Sequence, residues 1–343
     1  RASPYSPSSR LFVNPLYLDV ASMPEFAASA RARELVASAS FGSEIAALRE
    51  SALVQYGGVA AAKHRVLEIV YADARRARGA KGRERWARFE SYKAAAGEAL
   101  ERQSRFEALQ EHFHRADPTI WGWPVWPEPY RNPASEEVKR FAGEHAERVD
   151  YFSWLQWQAN LQRSDLAAKA RDAGMTIGVY TDLAVSVDRS GAEAWARQDL
   201  YALDASVGAP PDSFNVKGQD WGLPPMIPAR LVSSGFAEFI ATLRANMRDT
   251  GALRIDHVMG LHRLFWIPRG SVAAEGAYVR YPLEALLGLI ALESHRNHCV
   301  VIGEDLGTVT DEVRRALADN DILSYRVLLF ERGDAGDFKP PQA

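Results

Sequence analysis

Four short apolar runs, each closing on or beside an acidic residue and separated by spacers of helix length, constrain this chain more than any other feature. They are MTIGVYTD (175–182), ALRIDH (252–257), HCVVIGED (298–305) and SYRVLLFE (324–331). Each has the length of a buried strand. The segments 233–250, 282–297 and 310–320 between them are long enough for helices. Strands that alternate with helices build a parallel sheet, because a parallel pair needs a crossover connection. The pattern predicts an α/β fold of the (β/α)8 TIM-barrel kind. Barrel active sites lie at the C-terminal strand ends, which is where Asp182, Asp256, Glu304 and Glu331 fall. An acid there also serves simply to cap the next helix, and Glu331, with no supporting neighbours, is assigned no more than that.

Before residue 174 the sequence has a different character. From 25 to 116 it is dominated by Ala, Arg, Glu and Leu, with apolar residues at helical spacing such as Val66, Leu67, Ile69 and Val70, then Phe106 and Leu109. Several helices and few strands are expected there. The tract 121–133 holds three Trp and four Pro, which suits an ordered loop. A long helical pattern follows over 135–172, with Tyr151, Phe152, Trp154, Leu155 and Trp157 as core aromatics and aliphatics, and Gly174 where the helix would end. The expected division is a loop segment 1–24, a mostly helical insertion subdomain 25–133 and a partial barrel 134–343.

With 343 residues, 47% of them hydrophobic, the chain can bury a sizeable core. Its formal charge of −3 is spread along the sequence, and the densest basic stretch, 75–88, also carries Glu84 and alternates with Ala. That is a solvated helix face, so no nucleic-acid partner is expected. Cys299 is the single cysteine. It cannot form an intrachain disulfide and reads as a small buried thiol in a reducing compartment, so a cytoplasmic location is expected. No apolar stretch is long enough to cross a bilayer, and RASPYSPSSR has no apolar signal core. No membrane partner is expected.

Arg254 and Asp256 stand two apart on one predicted strand, so their side chains share a face. A guanidinium beside a carboxylate lowers its pKa by about 1–3 units, as a carboxylate nucleophile requires. Glu304 ends the next strand of the series. Neighbouring strands lie about 4.8 Å apart, so their terminal carboxyls can stand roughly 5–5.5 Å from each other, the separation of a retaining glycosidase pair. A carboxyl close to an ionised one has its pKa raised and can serve as the acid. The rival is a magnesium site on three strand-end carboxylates. It would want a Lys or His base on other strands, no predicted strand carries a Lys, and Arg254 would oppose a divalent cation. His257 and His262 beside Asp256 lack zinc-site spacing and read as packing or hydrogen-bonding groups. No metal or cofactor is expected.

Five segments together resemble the amylomaltase or disproportionating-enzyme family, glycoside hydrolase family 77 of the α-amylase superfamily. They are ASPYSPSSRLFVNPLYLD (2–19), IGVYTDLAVSV (177–187), GAPPDSFNVKGQDWGLPP (208–225), LRIDHVMGLHRLFWIP (253–268) and VIGEDLGTV (301–309), in family order along most of the chain. The resemblance implies a 4-α-glucanotransferase acting on maltodextrins and other α-1,4-glucans, with hydrolysis as the rival outcome. It implies Asp256 as nucleophile, Glu304 as general acid/base and Arg254 as the residue that orients Asp256. Asp182 would hydrogen-bond the donor sugar. Tyr5, on an acceptor-side loop, and Trp221 would line or stack on sugar rings, Gln219 and Asp220 would meet hydroxyls, and His257 completes the substrate-contacting set.

Thr181, Ser186, Val216 and Lys217 depart from the commonest forms of these motifs. The family's third carboxylate, in a T-H-D motif, has no counterpart, and Asp334 and Asp337 lack the flanking His. Judged by the motifs, the chain holds barrel strands three to six of eight, and little or no turnover is expected of these 343 residues alone.

Overall fold

A computed structural model describes residues 3–340 apart from 78, 214, 307–308 and 334–335. Asp334 therefore lies outside the described residues. From Pro24 to Asp172 the regular structure is helical, as the composition predicts. Its helices include Tyr56–Arg76, Ala80–Ala116 (broken at Gly97), Glu136–Glu144 and Ala146–Asp172. The Ser135 hydroxyl accepts from the Val138 amide at 3.2 Å and starts the third of these. Gly174, at φ +78°, follows the last where the sequence places its end. The 121–133 tract holds a 3-10 turn, Trp123–Val125, and one short helical turn, Glu128–Arg131.

Among the described residues eight strands follow: β1 (Tyr180–Leu183), β2 (Ala205–Ala209), β3 (Gln219–Leu223), β4 (Ala252–Ile255), β5 (Arg263–Pro268), β6 (Ala277–Arg280), β7 (Val300–Gly303) and β8 (Leu323–Ser324). The order β1-β4-β7-β8 is a wholly parallel sheet. These are the four predicted runs in sequence order, joined by crossover connections that contain Ala237–Met247, Leu283–Asn297 and Asp311–Asp319. The arrangement is that of part of a (β/α) barrel. Gly251 permits the first pairing, since a Cβ there would stand 1.5 Å from the Ile177 carbonyl oxygen. The fourth run is mostly not strand: after Ser324 it turns into a 3-10 segment, Leu328–Phe330. Glu331 thus lies off the sheet, paired with Arg326 at 3.3 Å and Lys339 at 3.8 Å.

A second sheet, antiparallel in the order β3-β2-β5-β6, is absent from the sequence reading. Strands β3 and β5 lie inside the 208–225 and 253–268 segments, β2 overlaps the start of the first and β6 follows the second. Gly and Pro there signal loops more strongly than the short apolar alternation signals strands. Gln219, Asp220 and Trp221 consequently sit on strand β3, bracketed by Gly218 and Gly222 at φ +69° and +71°, rather than on a loop.

Among the described residues two large cores and a small cluster of Phe265, Ile267 and Ala273 at the antiparallel sheet hold these layers. The first gathers Leu18, Met23, Phe89, Leu109, Trp126 and Trp154 among others, and the second underlies the parallel sheet with Leu253, Ile255, Leu287 and Val301. Every residue from Tyr151 to Ala159 is buried, so this part of its helix has no solvent face. The division expected at 133/134 cuts through the first core, because Val138, Phe141 and Trp154 pack with Leu18 and Phe89. The short helix Ala192–Ala196 joins the two, with Ala192 and Trp195 in the first and Ala194 in the second. Among the described residues no helix is long and apolar enough to cross a membrane. Cys299 is buried, which pushes its thiol up to about 11. Trp154→Ala is expected to cost about 3–5 kcal/mol, read as a lowered urea midpoint.

Candidate active site

The parallel register assembles the site. Asp182 on β1 pairs with Arg254 on β4, and Ile255 pairs with Gly303 on β7. Asp256 and Glu304 each follow one member of that last pair, at adjacent strand ends. An Arg254 Nη donates to Asp182 at 2.7 Å and to Asp256 at 2.9 Å. The Arg254 side chain is only 15% exposed. Burial works against its charge, but hydrogen bonds and attraction from Asp182, then Asp256, more than offset this and raise its pKa. Asp182 uses its other oxygen to accept from the Tyr5 hydroxyl at 3.2 Å. The Asp182 charge raises the Tyr5 pKa in turn.

Asp256 corrects one expectation. Arg254 does pull its pKa down, yet burial is the larger influence and Asp182 and Glu304 add repulsion, so the carboxyl lies above its ordinary value. The guanidinium is shared between two acids and cannot fully offset the desolvation of one. Glu304 is held by backbone. One carboxylate oxygen accepts from the His257 amide at 3.0 Å and the other from the Leu306 amide at 2.9 Å. His257 adopts a left-handed conformation, φ +48°, and the next amide, that of Val258, reaches the Glu304 carbonyl at 2.9 Å. Burial pushes the His257 imidazole down, towards the neutral form. Its ring meets the Trp221 ring edge to face, centroids 5.2 Å apart.

Asp182, Arg254, Asp256, Glu304, Tyr5, His257 and Trp221 are thus linked at one end of the parallel sheet. Gln219 and Asp220 are occupied otherwise. Gln219 accepts from the Trp221 indole at 3.1 Å, and Asp220 accepts from the Ser206 hydroxyl at 2.6 Å and the Gly222 amide at 2.8 Å. Among the described residues no group of three or more His, Cys, Asp or Glu is arranged to hold a metal ion.

Sequence reasoning missed what supports the site. The Tyr5 segment is anchored by Arg10, whose side chain is 8% exposed and lies 3.6 Å from Glu193. Glu193 also accepts from the Arg10 amide at 2.7 Å and the Tyr201 hydroxyl at 2.5 Å. Ser8 ties the segment to the same helix through its carbonyl and hydroxyl, which accept from the Glu193 and Ala192 amides. The Tyr325 ring lies beside the Arg254 guanidinium, 5.3 Å from it. No spacing rule links residues so far apart in the chain.

A parallel α/β sheet with acids at its strand ends, one arginine between two of them, is the frame of part of a (β/α) barrel with its candidate site at the strand ends. The whole chain, residues 1–343, matches glycoside hydrolase family 77, described as 4-alpha-glucanotransferase. The chain belongs to that family. It is 44% identical to the 4-alpha-glucanotransferase of Haemophilus influenzae over 340 residues, 98% of this chain and 48% of that protein. With its Mycobacterium tuberculosis counterpart it shares 39% identity over 347 residues, covering 99% of this chain and 46% of the relative. The crystal structure of amylomaltase from Corynebacterium glutamicum superposes with a TM-score of 0.81 at 35% identity, over 98% of this chain and 44% of that one. The chain spans about half the length of the curated relatives it matches.

The raised pKa of Asp256 has a consequence for stability. The folded state holds this proton more tightly than the unfolded chain does, so stability falls as pH rises through the interval between the two pKa values. Asp256→Asn is expected to raise the urea midpoint at pH 7, and the gain should vanish once the pH drops below the ordinary carboxylate range.

Proposed function

We propose that the protein containing this chain is a 4-α-glucanotransferase that moves segments of α-1,4-glucan between maltodextrins with retention of configuration. The observation that carries the reading is the Arg254 guanidinium bridging Asp182 and Asp256, beside Glu304 at the next strand end. Asp256, ionised and oriented by Arg254, attacks the anomeric carbon and forms a covalent glucosyl ester. Glu304 gives its proton to the departing glycosidic oxygen. It then takes a proton from the 4-hydroxyl of an acceptor sugar, which displaces Asp256. The paired backbone amides hold the Glu304 carboxyl in position through both steps.

Asp182 hydrogen-bonds the donor sugar, and Tyr5, whose hydroxyl donates to Asp182, lines the sugar site from the acceptor side. Trp221 offers an aromatic face to glucose and, with His257, forms a wall beside Glu304. Gln219 and Asp220 serve the same wall, the first by holding the Trp221 indole and the second by holding strand β3. Arg254 amid the acids favours this chemistry over a divalent-cation site, and no cofactor enters the scheme. The reading includes a reducing, cytoplasmic setting, supported by the single buried cysteine.

The test is product analysis of the intact protein incubated with maltotriose. Transfer yields glucose together with maltodextrins longer than the substrate, whereas glucose and maltose alone would overturn the proposal in favour of hydrolysis. Glu304→Gln is expected to slow turnover by about 10²–10⁴-fold.

A further inference from the structure

Asp305 stands directly after Glu304, yet points elsewhere. It is 6% exposed, and a buried carboxylate is costly unless it is paired. One of its oxygens accepts from the Tyr325 amide at 3.1 Å. The other accepts from the Ser324 hydroxyl and lies 3.9 Å from the Arg314 guanidinium. These contacts seize the chain where β8 ends. The Tyr325 amide also reaches the Gly303 carbonyl at 3.1 Å, prolonging the β7–β8 pairing by one residue. Gly303 is in register with Ser324 and with Ile255, so Tyr325 follows in the same layer as Glu304 and Asp256. From there its ring lies 5.3 Å from the Arg254 guanidinium.

We propose that Asp305 is a positioning residue: it fixes Ser324 and Tyr325 so that the Tyr325 ring packs against Arg254 and holds that guanidinium between Asp182 and Asp256. The physical need is plain. A planar cation shared by two carboxylates has many arrangements open to it, several of which abandon one acid. An aromatic ring on one face attracts the cation and removes part of that freedom. Asp305 supplies the constraint without touching Arg254, Asp256 or substrate.

The inference rests on the reading of Asp256 as nucleophile, so its readout is chosen to be independent of turnover. The groups that face Asp256 are Arg254 on its own strand, Asp182 on β1, Glu304 after β7, His257 beside it and Tyr5 from the N-terminal segment. In the intact protein, the Asp256 side-chain carboxyl is titrated by carbon NMR and the acid limb of kcat/KM is recorded in parallel. Tyr325→Leu is expected to raise the Asp256 midpoint by roughly half to one pH unit, as the loosened arginine attracts it less. Tyr325→Phe, which keeps the ring, restores the midpoint. Asp305→Ala shifts it in the direction of Tyr325→Leu, and Asp305→Asn shifts it less because one acceptor remains. An unchanged midpoint in Tyr325→Leu, or a Phe variant as displaced as the Leu variant, overturns the proposal. Tyr325 is 39% exposed, so this pair of variants tests the Arg254 contact even if Asp305→Ala fails to fold, and an Asp256 midpoint unchanged in Asp305→Asn overturns the role of Asp305. Absence of transfer by the wild-type protein would sink the functional reading alone, since the NMR midpoint still reports the positioning.

Discussion

Arg254 is the hinge of the electrostatics. A guanidinium this buried must be paired, and its partners here are two carboxylates that would otherwise repel each other. Burial opposes ionisation of both Arg254 and Asp256, and the attraction of Arg254 to Asp182 and to Asp256 works against it. The parallel sheet supplies the geometry at little cost, because Asp182 and Arg254 are register partners and Asp256 lies two residues further along the same strand. The raised pKa of Asp256 shows the compromise: a nucleophile partly shielded from water is also one that the fold would rather see protonated.

The same economy governs the support. The segment bearing Tyr5 has little regular structure, and such segments are mobile unless tied down. Arg10 ties it down by entering the interior beside Glu193 and Tyr201. A buried ion pair adds little net stability compared with apolar packing, but it selects one arrangement strongly, since a displaced partner would leave a charge unpaired. Glu193 lies on the helix shared by the two hydrophobic cores. The placement of Tyr5 therefore follows the way the helical region sits against the sheet.

Legibility divided along the range of the interactions. The four strands of the parallel sheet, their order and the helices between them were readable, because strand and helix periodicities are local and a parallel connection has few solutions. The acid cluster was readable for the same reason, as strand ends on neighbouring strands must be close. The antiparallel sheet was not, since β2 and β3 are short and glycine-bearing and gain their regularity from tertiary pairing, β3 with β2 and β2 with β5. The fourth run was right in place but not in extent: its apolar content resembles a long strand, but of its residues only Ser324 is strand and the pairing ends at the Tyr325 amide. Helices on either side of the expected 133/134 boundary share one core, which is a property of packing rather than of composition.

By itself, then, the amino-acid sequence determined the α/β class, the helical character of the first half, and the identity of Asp182, Arg254, Asp256 and Glu304 as one constellation. Those follow from periodicity, register and the motifs of the family. The tertiary structure alone decided the balance of charge at Asp256, the commitment of Asp220 to Ser206 and Gly222, and the service of Arg10, Asp305 and Tyr325 to distant site residues. The physical reason is that burial and three-body electrostatics depend on which surfaces meet. Residues tens to hundreds of positions apart carry no local signal of that meeting.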